Sequence, residues 1–150
     1  MTTDTPRHPF QRSHSIVIAT DPATVFDYVS NPKTWPEWLA SSHELECDNR
    51  PMRFGDTFRE HWSTRTAPVV LDWVVIVCDH PRQWIGITQT DFIGPIVVHY
   101  QFDPLPEGTR FTRVMRNPSR PKPPTDEMIA RMDTESMQGL ENIKRILEAR

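Results

Sequence analysis

Glycine and cysteine are scarce in this chain of 150 residues, and long apolar runs are missing. Five glycines form neither a Gly-x-Ser-x-Gly elbow nor a phosphate-cradling loop. The two cysteines, Cys47 and Cys78, are too few for a disulfide framework, so we interpret both as free thiols in a reducing compartment and expect a cytoplasmic protein. The longest apolar run, 73–78, is far shorter than the roughly 20 residues that span a bilayer. The first ten residues also lack the apolar stretch of a secretory signal.

Positive charge is not in excess either, because the formal net charge is −3. A general nucleic-acid binder is normally basic, and a polybasic segment is what attracts a protein to anionic lipids. We therefore expect no nucleic-acid partner and no integral membrane segment. We expect no metal and no cofactor, because the histidines lack the i, i+4 helical spacing of a metal site and no cysteine pair joins them. These histidines are His8, His14, His43, His61, His80 and His99.

Proline is abundant, and its fifteen copies fall between apolar segments. We expect a flexible N-terminal tail over residues 1–11 and one domain over 12–150, with a first strand over 14–20. Asp21-Pro22 is a helix cap followed by proline in the first turn, which predicts a helix over 22–30. Thr34-x-x-Glu37 predicts a second short helix.

The apolar period then changes to two. This predicts strands near 43–48, 56–65, 69–79, 83–91, 96–103 and 109–116, joined by hairpin-length turns. The proline-rich stretch 117–124 is expected to be an extended linker, and apolar residues at helical spacing predict a long helix over about 125–148.

This order of elements predicts an α+β fold with a curved antiparallel sheet of about seven strands around the C-terminal helix. Two short helices follow the first strand. Since the final helix is the one element long enough to cover the sheet, we expect a space between the two.

Several short motifs resemble those of a known family. They are Ile16–Ile18, the run Asp21-Pro22-Ala23-Thr24-Val25-Phe26, Asn31-Pro32, Trp35-Pro36-Glu37-Trp38, Asp79-His80-Pro81-Arg82, Gly108-Thr109-Arg110 and the segment 140–147. Together they are similar to the START-like (SRPBCC) superfamily, which has the Bet v 1-like helix-grip fold, and most closely to its polyketide cyclase/dehydrase branch. The resemblance covers residues 12–149. It implies an elongated, largely apolar cavity between sheet and C-terminal helix that holds a small hydrophobic ligand.

Strand alternation selects the residues that face this cavity. Two charged residues, Glu60 and Arg113, fall on inner faces, where an unpaired charge is costly. We interpret Arg113 as a polar anchor and Glu60 as a general acid or base, unless a one-residue slip turns either to solvent. For the tryptophans and methionines the alternative to ligand contact is core packing. The candidate ligand-binding residues are Trp35, Trp62, Trp73, Val75, Val77, Thr88, Val98, Tyr100, Arg113, Met115, Met128 and Met132.

The chain departs from the aromatase/cyclases of this branch, which carry arginine and serine on the long central strand. Aligned by eye, those positions are Val77 and Val75 here. The family's histidine and asparagine on the closing helix correspond to Arg131 and Gly139. The resemblance therefore implies a more apolar cavity, suited to binding more than to stabilising an enolate.

Three hypotheses follow. The first is a binding protein for a lipid-like or aromatic polyketide-like molecule. The second is a cyclase/dehydratase- or hydrolase-type enzyme in which Glu60 transfers protons, Arg113 stabilises negative charge, and Tyr100 and Trp73 hold the substrate. The third is regulation through a protein partner, or a homodimer, formed by outer-face apolar residues, which are Val70, Val74 and Ile76.

Overall fold

The computed structural model describes residues 7–63 and 67–150. Seven strands form one antiparallel sheet in the order β1-β7-β6-β5-β4-β3-β2. The strands are β1 (His8–Ile18), β2 (Ser42–Glu46), β3 (Thr57–Ser63), β4 (Pro68–Asp79), β5 (Gln83–Thr88), β6 (Ile96–Leu105) and β7 (Gly108–Arg120). The helices are α1 (Pro22–Val29), a 3-10 turn (Pro32–Thr34), α2 (Trp35–Trp38) and α3 (Asp126–Glu148). This confirms the predicted fold class, with α3 lying against β1 and α2.

The N-terminus of α1 forms as its sequence predicts. The Asp21 carboxylate accepts a hydrogen bond of 3.1 Å from the backbone N–H of Thr24, which satisfies one of the free donors of the first turn. Proline occupies the first helical position, where no donor is needed. Val25, Phe26 and Val29 then bury one face of the helix, so the cap and the apolar stripe agree.

The pairing of β1 with β7 is longer than expected at its outer end. Residues 8–11, expected as tail, pair with residues 116–120, most of which were expected as linker. The register shifts between His8 and Phe10, opposite Pro118, which has no N–H to donate to a ladder. Proline at such an irregularity is compatible with a strand, and for this reason the proline-rich composition misled the prediction.

A bulge in β4 corrects the position of Val77. Val75 pairs with Gly86, but Val77 pairs with Ile85, so Ile76 is one residue extra. A bulge of one residue reverses the faces beyond it. Val77, predicted to line the cavity, therefore shares the outer face with Ile85, and Cys78 takes its place on the inner face. Four consecutive apolar residues, Val74–Val77, carry no alternation that could have revealed the bulge.

Aromatic rings fill the interior beneath the C-terminal half of α3. Trp35 is central, with ring centroids 5.3 Å from Phe58, 5.9 Å from Trp73 and 6.2 Å from Trp84, each nearly perpendicular to it. Its Nε1 donates to the buried carbonyl of Val29 at 2.9 Å. Edge-to-face packing of this kind fixes ring positions as well as burying area. This part of the interior is therefore a packed core.

The outer face of the sheet leaves two apolar side chains in solvent, Val70 at 51% exposure and Ile76 at 41%. The ion pair of Arg59 with Asp72, 2.8 Å between Nε and Oδ1, lies on the same face. A homodimer or a partner protein on this face stays a prediction.

Candidate ligand site beneath the final helix

The two halves of α3 are packed differently. In the C-terminal half Gly139, Leu140, Ile143 and Leu147 are all buried. In the N-terminal half the side chains on the same stripe are only half-buried; they are Met128, Ile129, Met132 and Ser136. The apolar stripe of α3 is therefore incompletely covered in its N-terminal half, where its side chains remain accessible.

Polar contacts hold this half of α3 on two sides. Asp133 accepts hydrogen bonds from Arg12 Nε at 2.9 Å and from His14 Nε2 at 2.8 Å, both on β1. These two groups, Arg12 first, hold the pKa of Asp133 below its usual range. On the other side Ser41 contacts Glu135. The helix is thus fixed at its margins, and its half-exposed apolar stripe lies between these contacts.

Glu60 faces the interior from β3 and is only 2% exposed. Its Oε1 accepts a hydrogen bond of 3.0 Å from Trp73 Nε1, and its Oε2 has no partner. Burial raises the pKa of Glu60, because the charged form loses its hydration. The Ser42 hydroxyl, Trp73 Nε1 and the charge of Arg113 oppose that rise. The Ser42 Oγ lies beside Glu60 but makes no hydrogen bond of standard geometry.

Arg113 faces the same interior from β7, opposite Tyr100 on β6. Its Nη1 lies 3.5 Å from Ser136 Oγ on α3, and its Cζ lies 6.0 Å from the centre of the Trp38 ring. Its Nε is buried without a partner. In the described part of the chain no carboxylate lies within 4.0 Å of this guanidinium. The predicted inner position of both charged residues is therefore what the structure shows.

Four buried polar atoms without a partner belong to this region of the interior. They combine donors with acceptors, since Arg113 Nε and Trp38 Nε1 can only donate and Glu60 Oε2 can accept, whereas Ser42 Oγ can do either. Tyr100 lies beside these four atoms. Burial is the main reason that its pKa is raised to about 12, so its phenol stays neutral. Buried polar groups in proteins are nearly always satisfied, so four unpartnered atoms in one region are an exception that calls for an explanation.

The other predicted ligand-binding residues divide between the core and this half-open region. Thr88 uses its hydroxyl to donate to the Asp72 carbonyl at 2.7 Å. Buried, mostly within the aromatic core, are Trp35, Trp73, Val75, Val98 and Tyr100. Half-buried are Trp62 and Met115 on the sheet and Met128 and Met132 in the N-terminal half of α3. Whether any of them touches a ligand stays a prediction.

Sequence reasoning missed Trp38, Ser42 and Ser136 as parts of this region. Ser136 carried a signal, because it is the polar member of an otherwise apolar helical stripe that includes Met132 and Leu140. Ser42 lay just outside the predicted strand 43–48 and so was never assigned to a face.

Two hollows open at the surface. One, of about 620 Å³, lies between α2 and α3 and is lined by residues that include Trp38, Ala130, Thr134 and Gly139, so it borders the ring that carries one of the four unpartnered atoms. The other, of about 760 Å³, lies between α1 and the end of β4 and is lined by residues that include Phe26, Met52, Phe54, Cys78 and His80.

Two absences concern only the residues that the structure describes, 7–63 and 67–150. No helix among them is long and apolar enough to cross a membrane. They also contain no group of three or more His, Cys, Asp or Glu side chains placed to hold a metal ion.

A curved antiparallel sheet of seven strands, a long C-terminal helix and two short helices after the first strand define the Bet v 1-like helix-grip fold of the START-like superfamily. Within that class, the chain belongs to the family described as polyketide cyclase/dehydrase and lipid transport, whose model matches residues 10–148. No curated protein matches the sequence.

Solved structures share this fold at low sequence identity. The di-domain ARO/CYC StfQ of the steffimycin biosynthetic pathway superposes with a TM-score of 0.75 at 15% identity, over 95% of this chain and 51% of that one. A protein of Rhodobacter sphaeroides gives 0.71 at 19% identity over 93% of each chain. A START superfamily protein of Mycobacterium smegmatis gives 0.68 at 16% identity, over 95% of this chain and 98% of that one. Identities this low show a common fold and nothing more specific.

Proposed function

We propose that the protein binds one small, largely apolar molecule whose polar end reaches Glu60 and Arg113. The observation that carries this proposal is a pair of opposite charges on the inner face of the sheet, each with a buried atom that no protein group satisfies. A chain selected for stability alone gains little from such groups, because each costs desolvation energy. A ligand that hydrogen-bonds to them removes that cost.

The apolar part of the ligand fits against the half-buried side chains around the N-terminal half of α3. Met128 and Met132 supply flexible, polarisable contacts from the helix. Trp62 of β3 and Met115 of β7 are half-buried apolar side chains of the sheet that can extend this contact. Burial of about 200 Å² of apolar ligand surface contributes roughly 5 kcal/mol before the cost of association. Micromolar binding needs about 8 kcal/mol, so the polar contacts with Glu60 and Arg113 must contribute as well. The family description, which includes lipid transport, supports a ligand of this class.

Native mass spectrometry of the protein as purified tests the proposal directly, because a retained molecule appears as a defined mass increment. For the anchoring role, Arg113→Ala should lower the affinity for an acidic ligand more than for a neutral ligand of the same shape. Arg110→Ala is the matched control, since Arg110 is exposed on the same strand. Equal losses for both ligands in calorimetric titration of the Arg113 variant would remove the anchoring role.

A second candidate function is catalysis, and the burial of Glu60 favours it. Desolvation raises the pKa of the Glu60 carboxyl, which makes it a stronger base than an exposed glutamate, as a group that accepts and returns a proton requires. If Glu60 transfers protons, a bound ketone should exchange its α-hydrogens for deuterium in D₂O, and Glu60→Gln should stop the exchange while leaving binding intact. Exchange at the wild-type rate in that variant would exclude this role.

A further inference from the structure

We infer that the site takes up one proton when it binds an anionic amphiphile, with the ligand carboxylate pairing with Arg113 and Glu60 becoming neutral. This inference rests on the proposed function and specifies its ligand class and its dependence on pH. Glu60 and Arg113 face the same interior from two strands of the sheet.

Arg113 is the permanent positive charge of the site, because guanidinium does not deprotonate in proteins. It lacks a carboxylate within ion-pair distance in the described chain, and its Nε is free to donate. Glu60 lies beyond ion-pair distance of Arg113. The positive charge of Arg113 nevertheless acts to lower the pKa of both Glu60 and Tyr100. Arg113 is thus a positive charge whose close partner position is open, unlike Arg12, which is paired with Asp133.

A ligand carboxylate placed beside Arg113 changes the charge balance. Beyond the Arg12–Asp133 pair, whose charges offset each other, the interior would then contain two negative groups and one positive group in a region of low dielectric. Like charges there disfavour each other's ionisation. One carboxylate must become neutral. The ligand carboxylate is stabilised by direct contact with the guanidinium, so Glu60 is the group that accepts a proton from solvent.

The hydrogen-bond partners around Glu60 can accommodate that proton. Its Oε1 keeps the hydrogen bond from Trp73 Nε1 on β4, and a proton on Oε2 has the Ser42 hydroxyl of β2 beside it as an acceptor. The other titratable or charged groups that face this part of the interior are Tyr100 from β6, a phenol that stays neutral, and Arg113 from β7. His14 of β1 lies directly opposite Arg113 and, together with Arg12, hydrogen-bonds Asp133 of α3 at the margin of the site. Ser136 of α3 and Trp38 of α2, which complete the surroundings of Arg113, do not titrate.

Calorimetric titration with two probes of one shape tests the inference on the full chain. The probes are 1-naphthylacetate, which is anionic, and 1-naphthylacetamide, which is neutral. Titrations at pH 8 in buffers of different ionisation enthalpy count the protons exchanged on binding. We expect uptake of about one proton with the acid and none with the amide, because only the acid adds a negative charge.

Two variants complete the design. In Glu60→Gln the acid should still bind, but without proton uptake. Glu44→Gln removes an exposed carboxylate from the neighbouring strand and should behave as the wild type. A midpoint of thermal unfolding for each variant confirms that it is folded.

The outcomes distinguish a failure of the proton coupling from a failure of ligand binding. Binding of both probes with no proton uptake from the acid would overturn the proton coupling and leave ligand binding standing. Uptake that persists in Glu60→Gln would also overturn it, because another group would then be the acceptor. If neither probe binds and no molecule is retained in native mass spectra, the proposed function fails together with this inference.

Discussion

Trp35 is a candidate ligand contact on sequence grounds, and in the structure it lies at the centre of the aromatic core. Trp35→Phe separates the two roles. The indole is 2% exposed, so the substitution removes three buried ring atoms and the Nε1–H that satisfies the Val29 carbonyl. A core role predicts a large loss of stability with little change in ligand affinity.

The size of the loss follows from these contacts. At about 0.8 kcal/mol for each buried carbon-sized group, three ring atoms contribute about 2 kcal/mol. A buried carbonyl left without its donor costs at least about 1 kcal/mol more. The free energy of unfolding should therefore fall by about 3 kcal/mol, which for a domain of this size lowers the thermal midpoint by about 10 °C.

Urea unfolding followed by circular dichroism measures the loss, and titration with 1-naphthylacetamide measures the affinity. Trp62→Phe is the matched variant, because Trp62 is half-buried at the end of β3 that faces the ligand region. It should cost less than about 1 kcal/mol of stability and weaken the probe more than Trp35→Phe does. A loss below 1 kcal/mol for Trp35→Phe, or the reverse order of affinities, would refute the assignment of Trp35 to the core.

Three further substitutions test other parts of the structure. Gly108→Ala should destabilise by about 4 kcal/mol, because its φ is +143° and the added Cβ would lie 2.1 Å from the Ile18 carbonyl oxygen. Asp133→Asn should lower stability at pH 7 and remove part of the loss seen on acidification. The pKa of Asp133 is depressed, chiefly by Arg12, so its contribution exists above the ordinary aspartate pKa and disappears as pH falls through the depressed value. Glu60→Gln should raise stability at pH 8 and have no effect at pH 3. The pKa of Glu60 is raised, so wild-type stability declines as pH rises through the folded-state value.

Thermal unfolding over a range of pH checks these three together. Gly55→Ala is the control for Gly108, since its φ is also positive but nothing lies within 4 Å of the added Cβ. A similar loss in both glycine variants would contradict the close approach at position 108. If Asp133→Asn loses as much stability on acidification as the wild type, the depressed pKa of Asp133 is contradicted. If Glu60→Gln is less stable than the wild type at pH 8, the raised pKa of Glu60 is contradicted.

Most of the fold could be predicted from the sequence because its local signals agree with one another. The cap at Asp21-Pro22, the change of apolar period from helical to alternating, and the stripe along 125–148 each specify an element without knowledge of its partner. The errors concern features that depend on a partner. Residues 8–11 become a strand only because β7 extends to meet them, and the bulge at Ile76 follows from how β4 lies on β5.

For the candidate site, the sequence predicts which strand residues face inward but not which other side chains surround them. Alternation placed Glu60 and Arg113 inward, and the structure confirms those positions. Alternation cannot show that Trp35 is enclosed by other rings while Trp62 is not, because that difference comes from α2 folding into one end of the sheet's concave side. It also cannot reveal Ser42, which matters because it lies beside Glu60 of the adjacent strand.

The pairing of β1 with β7 has a consequence for the growing chain. Ser15 and Thr112 exchange a hydrogen bond across 97 positions of sequence. During synthesis, the first strand therefore emerges from the ribosome long before its only neighbour in the sheet exists. Contacts this distant slow the search for the native topology, and an unpaired edge invites association with other chains. A nascent polypeptide stalled before residue 108 should depend on chaperones for solubility, and release of the last forty residues should end that dependence.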